Sequence, residues 1–193
     1  MSAAAPQLRL WTRKEYYKMA EAGVFQPSER VELIGGRIVA MAPQNSPHFT
    51  TICLAADELR AIFATGFVVR IQDPLDISPS AQPEPDVAVV RGAVRDHAKT
   101  HPVPAELVME VTESTTLAYD RGEKASLYAS AGIADYCVLN LVDRCLEVHR
   151  DPIPMTSQPY GYSYRTRAQY FAGDTVTLFA APSGAVKVAD LLP

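Results

Sequence analysis

Residues 107–140 read LVMEVTESTTLAYDRGEKASLYASAGIADYCVLN, and this stretch dominates the prediction of the fold. It opens on an apolar strand that is interrupted only by Glu110. A helix is predicted over about 120–131, and a second apolar strand follows at 136–141. A strand, a helix and another strand in this order favour an α/β domain built around one mixed sheet.

The residues on either side predict further helices and strands. Thr12 opens a first helix through a Ser/Thr-x-x-Glu capping box, and Gly35-Gly36 marks a hairpin between strands 31–34 and 37–41. A second helix begins with Ser46 as its N-cap and buries an apolar stripe that includes Phe49. Other strands are predicted at 67–71, 86–90, 145–150, 160–164 and 175–179.

Composition fits a single domain over residues 10–190, preceded by a flexible segment at 1–9. The chain has 193 residues, 48% of them hydrophobic, which allows one substantial core. Its three cysteines show no metal-ligand spacing, and no apolar run reaches the roughly 20 residues of a membrane span. The first residues lack the basic start and apolar core of a secretion signal. We therefore expect a cytoplasmic protein with no membrane association.

Net charge argues against a broad nucleic-acid-binding face. The chain carries a formal charge of −4 and a pI near 5.6, whereas proteins that bind nucleic acid over a wide surface are usually basic. A cluster of metal-binding carboxylates is compatible with this balance, because it contributes negative charge until a cation arrives.

Two carboxylates stand at strand ends, where a rigid backbone can aim a side chain into a cleft. Asp86 follows the proline-rich run 82–85 and opens an apolar strand; its alternative role is a turn residue that binds nearby amides. Glu110 has apolar neighbours on both sides, and burying a carboxylate is costly unless it is paired or bound to metal. A glutamate that points into solvent is the alternative for Glu110.

Lys124 and Glu32 complete the candidate set. Lys124 shares one helical face with Leu127 and Ala131, which aims its amine toward the buried side. Snorkelling of the lysine to water, or an ion pair with Asp120 four residues earlier, is the alternative. Glu32 lies between apolar residues on a strand, where it faces either a site or solvent.

The order of these segments resembles a known family. The chain is similar to the Uma-type putative restriction endonuclease family, part of the PD-(D/E)xK nuclease superfamily. The resemblance extends from about residue 10 to 190, and the block 119–140 is its most specific part. The segments that carry it are VELIGGRIVAM (31–41), SPHF (46–49), PEPDVAVV (83–90), LVMEVTEST (107–115) and YDRGEKASLYASAGIADYCVLN (119–140).

The resemblance implies a restriction-endonuclease-like fold, with a central mixed sheet flanked by helices, and Mg²⁺-dependent cleavage of phosphodiester bonds, with Mn²⁺ as a substitute. It maps the metal-binding acids to Glu32, Asp86 and Glu110. The superfamily lysine usually stands two residues after the strand acid, where this chain has Thr112. The family instead supplies it from the following helix, at Lys124.

The sequence therefore predicts a metal-dependent nuclease acting on nucleic acid, with DNA as the expected substrate. The main alternative is a catalytically silent module that keeps the nuclease fold for binding nucleic acid or protein. A hydrolase of another phosphoester is a third possibility. A homodimer is also expected, from the resemblance, from the prevalence of two-fold oligomers and from the apolar tail segment 176–179.

Overall fold

The computed structural model describes residues 7–63, 65–102 and 104–193. Most of the segment predicted to be flexible, residues 1–9, lies outside the described residues. The chain forms two compact units: a smaller one of residues up to Pro43 together with Asp76–Pro83, and a larger one of Gln44–Leu75 together with Glu84–Pro193. The domain bounds 10–190 stay a prediction.

The smaller unit contains a helix and a hairpin. Helix α1 spans Arg13–Glu21, and Thr12 caps it in the predicted capping box with Glu15. Strands β1 (Val31–Ile34) and β2 (Arg37–Ala40) pair antiparallel across Gly35-Gly36, whose positive φ angles of 56° and 78° suit glycine. The hairpin predicted from the two glycines is therefore confirmed.

The larger unit is organised by a six-stranded sheet. Its strands occur in chain order, and β5 and β6 are parallel whereas all other neighbours are antiparallel. This arrangement confirms the predicted central mixed sheet. The strands are β3 (Phe67–Ile71), β4 (Val87–Arg91), β5 (Leu107–Thr112), β6 (Asp135–Asn140), β7 (Cys145–Pro154) and β8 (Tyr162–Phe171).

Helices cover both faces of this sheet. One face packs against α2 (Ser46–Ile62), the small β9–β10 sheet (Thr175–Leu178 and Ala181–Lys187) and α5 (Val188–Leu191). The other face packs against a helical run, residues 117–130, which we call the site helix. It consists of α3 (Leu117–Tyr119), a π turn (Asp120–Lys124) and α4 (Ala125–Ser130). Elsewhere, a 3-10 turn at Val94–His97 follows β4.

Several details differ from the sequence prediction. The N-cap of α2 is Asn45, whose side chain accepts a hydrogen bond from the His48 amide at 3.0 Å, and Ser46 is already helical. Phe49 is 53% exposed, because α2 buries the side that carries Ile52 and Leu59. Strand β10 and helix α5 were not predicted, since short segments without strong periodicity carry little sequence signal.

The apolar tail segment has a different role from the one expected. Val176 and Leu178 are buried in the core of the larger unit, and Phe179, beneath the guanidinium of Arg150, is the only exposed apolar residue of the segment. The segment therefore offers little apolar surface to a second copy of the chain, and the homodimer stays a prediction. Among the described residues no helix is both long and apolar enough to cross a membrane.

Candidate active site

Strand β5 separates an apolar face from a polar one. Leu107, Met109 and Val111 join the core beneath α2, so the alternation of a strand turns Glu110 toward the site helix. Glu110 is only 3% exposed. Its Oε1 accepts hydrogen bonds from the Lys124 amine at 3.0 Å and from the Tyr128 hydroxyl at 2.7 Å. The expectation that Glu110 points into a shielded site rather than into solvent is consistent with this position.

Lys124, which reaches Glu110, lies in a π turn of the site helix. The sequence predicted a regular helix here, but residues 120–124 form the wider turn, which is rare and frequent at functional sites. Lys124 is 2% exposed and Asp120 is 4% exposed, so both side chains point into the protein. The amine is bonded to a buried carboxylate, which excludes snorkelling to water.

Asp86 lies immediately before β4 and beside Glu110. Its Oδ2 accepts the Val111 amide at 2.9 Å, and its Oδ1 accepts the Gln72 side-chain amide at 3.0 Å. The Asp86 amide in turn lies 3.4 Å from Oε2 of Glu110. The backbone of two antiparallel strands therefore brings the two carboxylates to one corner of the sheet.

The charge state of Asp86 follows from these contacts. Burial by itself raises the pKa of this carboxyl, but the nearby His48 ring and then the hydrogen bonds from its neighbours outweigh burial. The pKa of Asp86 is consequently held below its ordinary value. Asp86 is ionised at neutral pH and can bind a cation.

His48 approaches the site more closely than its sequence position indicated. It stands in the first turn of α2. Its Nε2 lies 3.5 Å from Oδ1 and 3.4 Å from Oδ2 of Asp86, and the side chain is 17% exposed. The only signal in the sequence was the helix start at Ser46-Pro47, which does not reveal where that helix packs.

Asp120 is a buried acid that the sequence analysis did not select. Burial raises the pKa of its carboxyl above the ordinary value; the charge of Lys124 opposes this rise, and the charge of Asp86 adds to it. Hydrogen bonding from the nearby Thr112 and Thr116 side chains also opposes this rise in the Asp120 pKa. The i, i+4 spacing of Asp120 and Lys124 was the signal that could have identified it.

Glu32 belongs to the smaller unit, on β1. All four residues of this strand are buried and Glu32 is 1% exposed, so the alternative of a solvent-facing glutamate is wrong. The hairpin pairs Glu32 with Val39. Its part in an active site stays a prediction.

The arrangement in the larger unit can be compared with known proteins. A family model described as "Putative restriction endonuclease" and named Uma2 matches residues 13–178. The match covers most of the chain. The chain belongs to this family. A search of curated proteins gives no match.

One solved structure supports the same fold for this Uma2 family member. The structure is described as a putative nuclease belonging to DUF820 from Anabaena variabilis, and it superposes with a TM-score of 0.70. The alignment covers 93% of this chain and 96% of the other, at 11% sequence identity. At this identity the likeness shows the fold alone.

The acids of this family member suit a small hard cation that keeps part of its water shell. Within residues 7–63, 65–102 and 104–193 no three His, Cys, Asp or Glu side chains are grouped as a complete metal site. Asp86 and Glu110 are nevertheless both buried acids, and the Asp86 amide lies 3.4 Å from Oε2 of Glu110. Mg²⁺ commonly uses one or two carboxylates and takes its remaining ligands from water and substrate phosphate. The pair fits such a cation.

Proposed function

We propose that this protein is a divalent-metal-dependent nuclease that hydrolyses phosphodiester bonds, with DNA as its substrate. The observation that carries the proposal is the buried contact between the Lys124 amine and Glu110, beside the ionised Asp86. Two acids and an amine in one buried corner are costly to maintain for stability alone. Family membership supports the same reaction class.

Asp86 and Glu110 would hold Mg²⁺ or Mn²⁺, with Glu32 as a proposed third carboxylate. Oε1 of Glu110 already accepts two hydrogen bonds, so Oε2, the oxygen nearer to Asp86, is the better placed to contact the cation. Such a cation supplies a water of lowered pKa and polarises the scissile phosphate.

Lys124 would act on the reacting groups rather than on the cation. A protonated amine cannot ligate a metal, but it can donate hydrogen bonds to a phosphate oxygen or orient the attacking water. Its contact with Glu110 keeps the amine next to one of the proposed metal ligands. Tyr128 fixes the other side of the same carboxylate oxygen, which limits rotation of Glu110.

A catalytically silent binding module is the alternative function. Two observations favour it: the net charge of −4, and the lack of a complete three-residue metal group among the described residues. Such a module would not require Mg²⁺ or Mn²⁺, and its nucleic-acid or protein binding would be unaffected by chelators. Metal titration therefore separates the two functions.

The test combines thermal melting with cleavage of plasmid and single-stranded DNA in Mn²⁺, Mg²⁺ or EDTA. Binding at 100 times the dissociation constant stabilises a protein by about 2.7 kcal/mol. For a chain of this size that corresponds to a rise in Tm of roughly 5–10 °C. We expect wild type to show both the rise in Tm and the cleavage, and Asp86→Ala to show neither. Asp57→Ala is the control, because Asp57 is an exposed acid on α2, and it should behave like wild type. If Asp86→Ala and Glu110→Ala both show the same metal-induced rise in Tm as wild type, the assignment of these two residues as metal ligands is ruled out.

A further inference from the structure

Gln72 adopts a backbone conformation that its residue type disfavours. It follows the last residue of β3, and its φ is +48°, in the left-handed region. Only two other non-glycine residues among those described, Arg144 and Asp151, have a positive φ. A residue with a long side chain is strained in this conformation.

The left-handed turn brings both the backbone and the side chain of Gln72 onto Asp86. The Gln72 amide lies 3.1 Å from the carbonyl oxygens of both Pro85 and Asp86. The side-chain Nε2 donates to Oδ1 of Asp86 at 3.0 Å. Gln72 thus contacts Asp86 at its main chain and at its carboxylate.

The side-chain contact determines how the carboxylate is oriented. Oδ2 of Asp86 is held by the Val111 amide at 2.9 Å, and Gln72 holds the other oxygen, so the plane of the carboxylate is fixed from both ends. Gln72 is a neutral donor, and therefore leaves the negative charge of Asp86 available to a cation.

A purely structural purpose does not explain glutamine at this position. Glycine would adopt the same φ without strain and would keep both backbone hydrogen bonds. It would lose only the contact between the side-chain amide and Asp86. The strained backbone of Gln72 therefore serves a contact with a proposed metal ligand. Strained residues tend to cluster at functional sites.

We propose that Gln72 is a positioning residue of the cation site, which presents the Asp86 carboxylate to a hard divalent cation. The inference rests on the proposed function, because it requires that Asp86 binds metal. Residues that orient metal ligands typically contribute 10- to 100-fold to metal affinity. Gln72 should contribute more to Mn²⁺ binding than to the stability of the metal-free protein.

The test compares Gln72→Gly with wild type by calorimetric titration of Mn²⁺ and by melting of the metal-free protein. We expect the Kd for Mn²⁺ to rise roughly tenfold or more, while the Tm without metal falls only slightly, because relief of the strain offsets the lost hydrogen bond to Asp86. Asp151→Gly is the matched control, because Asp151 also has a positive φ, of +57°, and is exposed. The Kd of this variant for Mn²⁺ should equal that of wild type. Gln72→Glu keeps the length and the strain but replaces the donor, and it should also weaken binding.

The outcomes separate this inference from the proposed function. A Kd within about twofold of wild type in Gln72→Gly, with binding lost in Asp86→Ala, overturns the positioning role and leaves the cation site intact. A large fall in the metal-free Tm of Gln72→Gly also overturns it, because the side chain would then be structural. Unchanged Mn²⁺ binding in Asp86→Ala overturns the cation site, and the role of Gln72 with it.

Discussion

Replacement of Lys124 by alanine tests the site at its most distinctive residue. The amine is 2% exposed and lies 3.0 Å from Oε1 of Glu110, which is 3% exposed. Removing one partner of a buried ion pair costs about 3–5 kcal/mol, since the other charge stays buried. The remaining bond from Tyr128 and entering water favour the lower end, about 3 kcal/mol. The Tm of metal-free Lys124→Ala should fall by roughly 6–12 °C.

Saturating Mn²⁺ should recover part of this loss, because the cation supplies positive charge next to Glu110. Cleavage should nevertheless stay about 100-fold below wild type, the typical effect of losing one electrostatic or acid–base group. Lys124→Arg should not restore it, because a planar guanidinium does not fit a site built for a compact amine.

The assay is cleavage of a labelled DNA substrate at saturating Mn²⁺, with melting of each variant in the presence and absence of metal. Lys99→Ala is the matched control, since Lys99 is exposed on the loop after β4, and it should cleave at the wild-type rate. If Lys124→Ala cleaves as fast as wild type while Asp86→Ala is inactive, the reasoning about Lys124 is refuted.

Three further predictions concern neighbouring features. Tyr128→Phe removes the hydroxyl that donates to Glu110 and should lower the free energy of unfolding by about 1–3 kcal/mol in chemical denaturation; an unchanged value would contradict the contact. Burial raises the pKa of Glu147, but the His149 ring and bonds from its other neighbours outweigh burial and lower this pKa to about 2. The stabilisation by ionised Glu147 is therefore complete above pH 4.5 and is lost as pH falls toward 2. Glu147→Gln should therefore destabilise the protein at pH 7 and weaken the fall in its free energy of unfolding at acid pH. If wild type and variant lose stability equally as pH falls from 4.5 to 2, the lowered pKa of Glu147 is excluded. Light scattering should give the mass of a dimer, and a mass near 21 kDa at micromolar concentration would refute it.

Local sequence signals predicted most of the fold. The capping box at Thr12, the paired glycines at 35–36 and the apolar strands depend on neighbours within a few residues, and the structure contains each of them. The start of α2 was misplaced by one position, because Asn45 and Ser46 are both good N-caps and only the final backbone path selects between them.

The candidate site was only partly accessible from sequence. Helical phase correctly turned Lys124 inward, and apolar neighbours correctly indicated that Glu110 is shielded. Asp120 was considered only as an alternative ion-pair partner of Lys124, and the structure shows that both residues are buried in a π turn. Strand alternation left Glu32 facing either a site or solvent, whereas all of β1 is buried.

The sequence by itself determined the order of most helices and strands, the apolar core and four candidate side chains, because hydrophobic periodicity and turn residues act over short distances. The tertiary structure alone decided which partners those side chains meet. Asp86 contacts Val111, Gln72 and His48 only because strands and a helix far apart in the chain converge at one corner of the sheet. Hydrogen bonds and desolvation at that corner depend on distances in space, which no local pattern in the chain encodes.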